Sequence, residues 1–207
     1  MSEGDKALIS DSQLSARAEW RSCRAETRCT RGARYVTGAD IVRISRTLAL
    51  EPWHFTETAP AAADDPTGIV LDSGRRRMTL KLANAAHGCV FLVRTPNGVG
   101  RCGLGDLAPV SCRVFPVDPA GGDQASRHNP ECGCREWTEQ EPGPEQRAEA
   151  LGVWAADRDH WYEVITRWNA LAASSDPRLG MEDFQRYLLE AQAAREIGAA
   201  WPEEVAA

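Results

Sequence analysis

The stretch from Cys89 to Cys112 constrains this chain more than any other part of its sequence. It places three cysteines, at positions 89, 102 and 112, among glycine and proline residues that favour turns. Twelve residues separate the first two cysteines and nine separate the next two, a spacing that matches no common zinc-finger formula. Thiols in a reducing compartment are more often metal ligands or catalytic groups than disulfides. The stretch therefore predicts a cysteine-based centre built on Cys89, Cys102 and Cys112.

The expectation of a reducing compartment rests on the N-terminus and on hydropathy. Residues 1–13 are polar and acidic, unlike a secretory signal, and no apolar run approaches the roughly 20 residues that span a bilayer. We therefore expect a cytoplasmic protein with no membrane partner. The net charge of −6 also argues against a nucleic-acid partner, because the phosphate backbone attracts basic surfaces. The sequence does not indicate the oligomeric state.

Three short segments around these cysteines carry a specific pattern: Cys89-Val90-Phe91-Leu92, Gly100-Arg101-Cys102, and Pro109 followed by Cys112-Arg113-Val114-Phe115-Pro116. They resemble the YkgJ-like cysteine-cluster family, whose domain is described as chelating zinc or iron. That family carries C-P-F-L, a later single cysteine and P-x-x-C-R-x-F-P, after an upstream C-x-x-C-x-x-C-C. The resemblance covers roughly residues 20 to 135.

The upstream motif is incomplete in this chain. Cys23 and Cys29 stand at its first and third cysteines, whereas Glu26 and Thr30 stand at its second and fourth. Glu26 is either a solvated loop residue, which we favour, or an oxygen ligand. The resemblance implies Cys29 as the fourth ligand, ahead of Cys23, Cys132 and Cys134. The last two correspond to a later C-P-G segment of the family.

Soft thiolate ligands favour zinc or iron–sulfur clusters over magnesium or calcium. The seven cysteines of the chain and the resemblance favour a [4Fe-4S] cluster, with zinc as the alternative. The resemblance extends to the flagellin lysine methylases, which contain a similar cysteine domain and are thought to use an iron–sulfur cluster. It thus implies an enzyme that modifies a small molecule, an amino acid or a peptide. Zinc would instead imply a structural or protein-binding module without catalysis.

Several other interpretations remain open at the level of sequence. The cysteines can be small buried apolar residues. Cations that could stabilise thiolates are Lys81, Arg94, Arg101 and Arg113. Arg113, adjacent to Cys112, is expected to bind either a ligand sulfur or an anionic substrate, and a salt bridge to an acid is an equal alternative.

The run 75–77 is interpreted as a solvated turn rather than an anion patch, and His128 as a surface residue rather than a ligand. Cys89 and His87 lack the third group of a nucleophilic triad, and no phosphate loop or nucleophile elbow is present.

The predicted fold is α+β and mostly helical, with a small β-hairpin around a cysteine-ligated metal centre. Residues 1–140 are interpreted as the cysteine-cluster domain and 141–207 as a helical segment packed on it. Helices are predicted at 10–21, at 38–49 behind a Thr37/Asp40 capping box, at 145–173 and at 181–197. A short helix begins at Pro52, with Trp53 and Phe55 expected in the core.

The β-hairpin is predicted from alternating apolar residues over 68–72 and 77–83, after a loop at 59–67. A tight turn at Asn97-Gly98 is expected to bring Cys89 and Cys102 onto adjoining strands, and a helical turn at 106–110 to present Cys112. Residues 117–131 read as a loop. Tryptophans recur at helical spacing at 154, 161 and 168, and we interpret this stripe as core.

Overall fold

The computed structural model describes residues 28–71, 76–96, 98, 100–115, 144–174 and 179–203. The helix predicted at 10–21 and the loop predicted at 117–131 lie outside these ranges. The described chain combines helices with small antiparallel sheets, which confirms the α+β class. Among the described helices, none has the length and apolar character needed to cross a bilayer.

Three strands form the main sheet. They are β1 (Thr56–Pro60), β2 (Ile69–Leu71) and β3 (Arg76–Leu82), arranged antiparallel in the order β1-β3-β2. Ile69 faces Met78 across β2 and β3, so the predicted hairpin is confirmed. Strand β1 was not expected: residues 59 and 60, assigned to a loop, pair with β3 instead.

Two further ribbons follow the sheet and contain cysteines. Strand β4 (Asn84–Ala85) pairs with β5 (Gly88–Cys89), and β6 (Leu92–Arg94) pairs with β7 (Gly100–Cys102). A 3-10 helix at Gly105–Leu107 and the short helix α2 (Val110–Arg113) come next. The predicted helical turn before Cys112 is therefore present, and Cys112 itself is helical.

Helix α1 (Gly38–Leu48) begins at the predicted capping box. The Thr37 hydroxyl accepts a hydrogen bond from the Asp40 amide at 3.2 Å, and the Asp40 carboxylate accepts one from the Thr37 amide at 3.2 Å. These bonds satisfy two of the amides that every helix start leaves without an intrahelical partner. The pattern of the sequence thus marks the start of this helix correctly.

The two long helices match their predicted ranges closely. They are α3 (Pro144–Ser174) and α4 (Met181–Ile197). Trp161 and Trp168 on α3 are buried, and both rings contact Phe184 of α4 edge-on, at centroid distances of 5.8 and 5.2 Å. The tryptophan stripe is therefore core at these two positions, while Trp154 is half-buried.

Helix α3 also closes the free edge of the sheet. Strand β2 lies at that edge, and Trp168 donates its indole N–H to the carbonyl of Val70 at 2.9 Å. The Asn169 side chain accepts from the Val70 amide at 2.7 Å and donates to the Gly68 carbonyl at 2.9 Å. Because an open strand edge is a template for pairing with other chains, these two side chains take the place of a fourth strand.

The short helix predicted at Pro52 is a 3-10 helix at Pro52–His54. Phe55 is buried as expected, but the prediction for Trp53 is wrong, since its side chain is 47% exposed. One turn of 3-10 helix repeats every three residues, so residues two apart point in different directions. Trp53 and Phe55 therefore do not share a face.

Candidate metal centre

Four cysteines lie in the described ranges. Cys29 precedes α1, Cys89 ends β5, Cys102 ends β7 and Cys112 lies in α2. Cys29, Cys89 and Cys112 are buried and belong to one hydrophobic cluster, against which Cys102 packs. Four separate segments therefore bring thiols into one region of the core.

The pKa values of the thiols report on their mutual proximity. The pKa of Cys112 is raised to about 11, mainly by burial, with smaller contributions from charge on Cys102 and Cys89 and an opposing one from Arg28. Burial also raises the pKa of Cys89, with an added contribution from Cys102. Three sulfurs are therefore within range of one another's charge. Without a metal these buried thiols stay neutral at pH 7, and metal binding would release their protons.

The ribbons bring Cys89 and Cys102 together by a different route from the predicted one. Cys102 faces Leu92 across the β6–β7 ribbon, whereas Cys89 faces Asn84 in the β4–β5 ribbon. The prediction that both cysteines share one hairpin is therefore wrong. The amide of Gly103 donates to the Phe91 carbonyl at 2.8 Å, which ties the end of one ribbon to the segment that follows Cys89.

Gly88 holds Cys29 against this region. Its φ of +117° lies where side chains are strongly disfavoured, and an added Cβ would lie 2.4 Å from the Cys29 carbonyl oxygen. Only glycine permits this close approach of two backbones. Glycine is therefore required at position 88, both for its backbone conformation and because there is no room for a side chain.

We expect Gly88→Ala to separate Cys29 from the other thiols. The backbone strain and the overlap together should cost about 2 kcal/mol or more of unfolding free energy, and the metal content should fall. Gly98→Ala is the matched control, because Gly98 also has a positive φ, +84°, but no atom lies within 4 Å of its added Cβ. Urea unfolding and metal analysis of both variants check this expectation, and equal losses in the two would contradict the role of the close approach.

Arg34 supplies a buried positive charge to the site. Its side chain is 1% exposed, and one guanidinium nitrogen donates to the carbonyl oxygens of Arg28 and Cys29 at 3.1 and 3.2 Å. The other terminal nitrogen donates to the Asn84 side chain. Across the described chain no carboxylate pairs with Arg34, and its Nε has no partner. Its charge opposes the effect of burial on the pKa of Cys89, so it favours the ionised form of that thiol.

Two further arginines, each adjacent to a cysteine in the chain, have buried Nε atoms without a partner among the described residues. Arg28 precedes Cys29, its charge lowers the pKa of Cys112, and its guanidinium lies 5.9 Å from the centre of the Phe115 ring. Arg113 follows Cys112 in α2, and its Nε is equally without a partner. Buried donors usually find acceptors, so both arginines are positioned to donate to an anion at this site.

The cations expected from the sequence are mostly engaged elsewhere. Lys81 pairs with Glu57 at 3.1 Å, and Arg94 donates to the Gly98 carbonyl at 3.2 Å and to the Thr30 hydroxyl at 3.4 Å. Arg101 is exposed. Arg28 and Arg34 were missed, and the only available signal was the adjacency of Arg28 to Cys29.

The donor set suits a thiophilic metal. Four thiols with buried cations beside them match the soft ligands and hydrogen-bond donors of zinc and iron–sulfur sites. Within the described ranges, no three His, Cys, Asp or Glu side chains are close enough together to hold one metal ion. A single tetrahedral zinc, with thiolates at about 2.3 Å, would therefore require these side chains to move closer.

A cavity of about 370 Å³ is lined in part by residues that neighbour two of the cysteines in the chain. Arg28 and Ser111, the chain neighbours of Cys29 and Cys112, form one side of it, and the aromatic face of α3 forms the other. Arg113 is not among its described lining residues. Arg76 and Arg77, from the predicted solvated turn, are exposed in β3, away from this cavity's described walls.

The remaining candidates of the sequence lie outside the described residues: Cys23, Glu26, Arg75, His128, Cys132 and Cys134. Comparison of the chain with protein-family models, with curated proteins and with solved structures finds no match in any of the three. The geometry of the thiols and of the cavity is therefore what any functional conclusion rests on.

Proposed function

We propose that this chain is an iron–sulfur protein of the YkgJ-like type, with a cluster bound by Cys29, Cys89, Cys102 and Cys112. The observation that supports the proposal most is the burial of Arg34 beside these thiols. A guanidinium removed from water is costly unless an anion compensates it. Thiolates bound to a metal stay ionised in the core and provide that compensation.

The arrangement of the thiols favours iron–sulfur over zinc. In a four-iron cluster each thiolate binds a different iron, so the sulfurs need not meet at a single point. Cys89, Cys102 and Cys112 interact through their charges, but no three of the described thiols are gathered around one position. Arg28, Arg34 and Arg113 would donate to cluster or ligand sulfurs, which is a common way for proteins to adjust a cluster's reduction potential.

We further propose that the protein is an enzyme acting on a small molecule held in the cavity beside the thiols. A cluster held by these four cysteines would supply electron transfer to or from that molecule. The buried core around Cys112 would exclude water from the cluster. Arg28, which lines the cavity, would orient the substrate. Arg113 would hold a ligand sulfur rather than the substrate, because it does not line the described part of the cavity.

Metal analysis of protein purified without oxygen tests the proposal. We expect iron and acid-labile sulfide in comparable amounts, a broad visible absorption band, and a paramagnetic resonance signal after reduction. Arg34→Met should keep the shape of the side chain while removing the charge, and should lower the cluster content relative to Arg46→Met. Arg46 is a suitable control because it forms an exposed pair with Glu196 at 2.6 Å.

A protein that contains one zinc ion per chain, no iron and no visible absorption would contradict the iron–sulfur proposal. That result would favour a zinc-stabilised module instead. A metal content that is unchanged in Arg34→Met would remove the argument from the buried charge.

A further inference from the structure

The cavity beside α3 differs from the thiol site in its lining, because none of its described lining residues is a cysteine. It measures about 370 Å³, at the lower end of the range for small-molecule sites. This size admits a molecule of one or two rings and excludes a large cofactor.

Aromatic side chains form one wall of the cavity. Trp154, Trp161 and Tyr162 project from one face of α3, since they lie seven and eight residues apart along the helix. Tyr35 closes the wall from the other side, although its own side chain is 51% exposed. Rings of this kind bind planar molecules by offset or edge-on stacking.

The cavity is also more positive than the protein as a whole. Among its described lining residues, Arg28 and Arg158 stand against a single acid, Asp65, in a chain whose net charge is −6. The Asp65 carboxylate already accepts from the Thr67 amide at 2.8 Å and from its hydroxyl at 2.7 Å. The Asp65 carboxylate is thus already hydrogen-bonded to Thr67, whereas the buried Nε of Arg28 has no partner among the described residues.

Arg158 is held between two of the aromatic side chains. Its guanidinium lies 5.1 Å from the centre of the Trp154 ring and 5.9 Å from that of Tyr162. Stacking of this kind fixes the plane of the guanidinium. Its Nε and one terminal nitrogen donate to the Asp159 carboxylate at 2.9 and 2.7 Å, so an anion in the cavity would meet the opposite edge, which the two terminal nitrogens form. A planar carboxylate is the anion that matches such an edge.

From these contacts we infer that the cavity binds a small aromatic carboxylate, with its ring on the Trp154 and Tyr162 wall and its carboxylate toward Arg28 and Arg158. A nucleotide is a poorer match, because its phosphates would bring several negative charges to two arginines and Asp65. The inference names the class of molecule for the proposed enzyme, and it rests on that function only for the claim that the molecule is a substrate. Binding itself depends on the walls of the cavity.

Isothermal titration calorimetry with three probes tests the inference on the purified full chain. The probes are indole-3-acetate, the uncharged indole-3-acetamide of the same shape, and acetate without a ring. We expect saturable binding of the acid, weaker binding of the amide by about tenfold or more because a charge-assisted hydrogen bond is lost, and no saturation with acetate.

Variants locate the binding. Arg158→Met and Arg28→Met should each reduce the preference for the acid over the amide about tenfold, and Trp154→Leu should weaken both indole compounds. Arg46→Met, an exposed arginine on α1 remote from the cavity walls, should change neither. Circular dichroism confirms that each variant is folded, and Arg158→Met suffices if Arg28→Met fails to fold.

Three results would overturn the inference: no saturable binding of indole-3-acetate, equal affinity for acid and amide, or a preference for the acid that survives in the arginine variants. Metal content is measured on the same samples. Binding by a protein that carries only zinc would contradict the proposed cluster and leave the cavity assignment intact. A protein that carries the cluster but does not bind indole-3-acetate would contradict the cavity assignment and leave the proposed cluster intact.

Discussion

Replacing Cys112 by serine is expected to remove most of the bound metal and to destabilise the fold. Cys112 is buried, and its pKa responds to charge on both Cys89 and Cys102, so both of these thiols lie within electrostatic range of it. Changes to groups that only orient a ligand already cost roughly 10 to 100-fold in metal affinity, and loss of a ligand should cost at least as much. Because metal binding is coupled to folding, the midpoint of thermal unfolding should fall with the metal content.

The control for this prediction is Ser111→Ala, in the same short helix. Ser111 is also buried and donates to the Tyr35 carbonyl at 2.8 Å, so its loss should cost about 1 kcal/mol without removing a thiol. Metal content by elemental analysis separates the two variants. Full metal retention by Cys112→Ser would show that the ligand assignment is wrong.

Trp168→Ala is expected to give the largest loss of stability at any single core position that does not bind metal. The side chain is 0% exposed and packs against Phe184 and Tyr187 at centroid distances of 5.2 and 5.6 Å. Large-to-small changes at such positions cost about 3–5 kcal/mol. The change also removes the indole donor to the Val70 carbonyl at the sheet edge.

Two further variants divide this loss into its causes. One tests the hydrogen bond of Trp168 separately from its packing, and the other compares a buried tryptophan with an exposed one. Trp168→Phe keeps most of the ring but loses the donor, and should cost about 1–3 kcal/mol. Trp53→Ala removes the same side chain from an exposed position and should change the unfolding free energy by about 0.5 kcal/mol or less. Urea unfolding of the three variants gives the comparison, and similar losses for Trp53→Ala and Trp168→Ala would contradict the buried role of Trp168.

The helices were predictable because their signals are local. The capping pair Thr37 and Asp40 marks the start of α1, and the apolar spacing of α3 and α4 repeats over many turns. Strand β1 escaped prediction because its five residues end in Pro60 and acquire their conformation by pairing with β3, some twenty residues later in the chain. Such long-range pairing leaves little trace in a short segment.

The thiols of the candidate site were predictable from the sequence, but the charges around them were not. Cys89, Cys102 and Cys112 stand out by residue type and by their resemblance to a known block, and the folded chain brings them near one another. Arg34 carries no comparable signal, because a single arginine in a loop is normally solvated. Its burial results from carbonyl oxygens and Asn84 that only the folded chain assembles around it.

The origin of the thiols in four separate segments has a consequence for biosynthesis. Cys29 and Cys112 lie 83 residues apart, so a ribosome adding about 5–20 residues per second would release Cys29 roughly 4 to 17 s before Cys112. During that interval the nascent chain has reduced thiols but no complete binding site. If the chain carries the proposed cluster, its loading must therefore follow synthesis of all four cysteine segments.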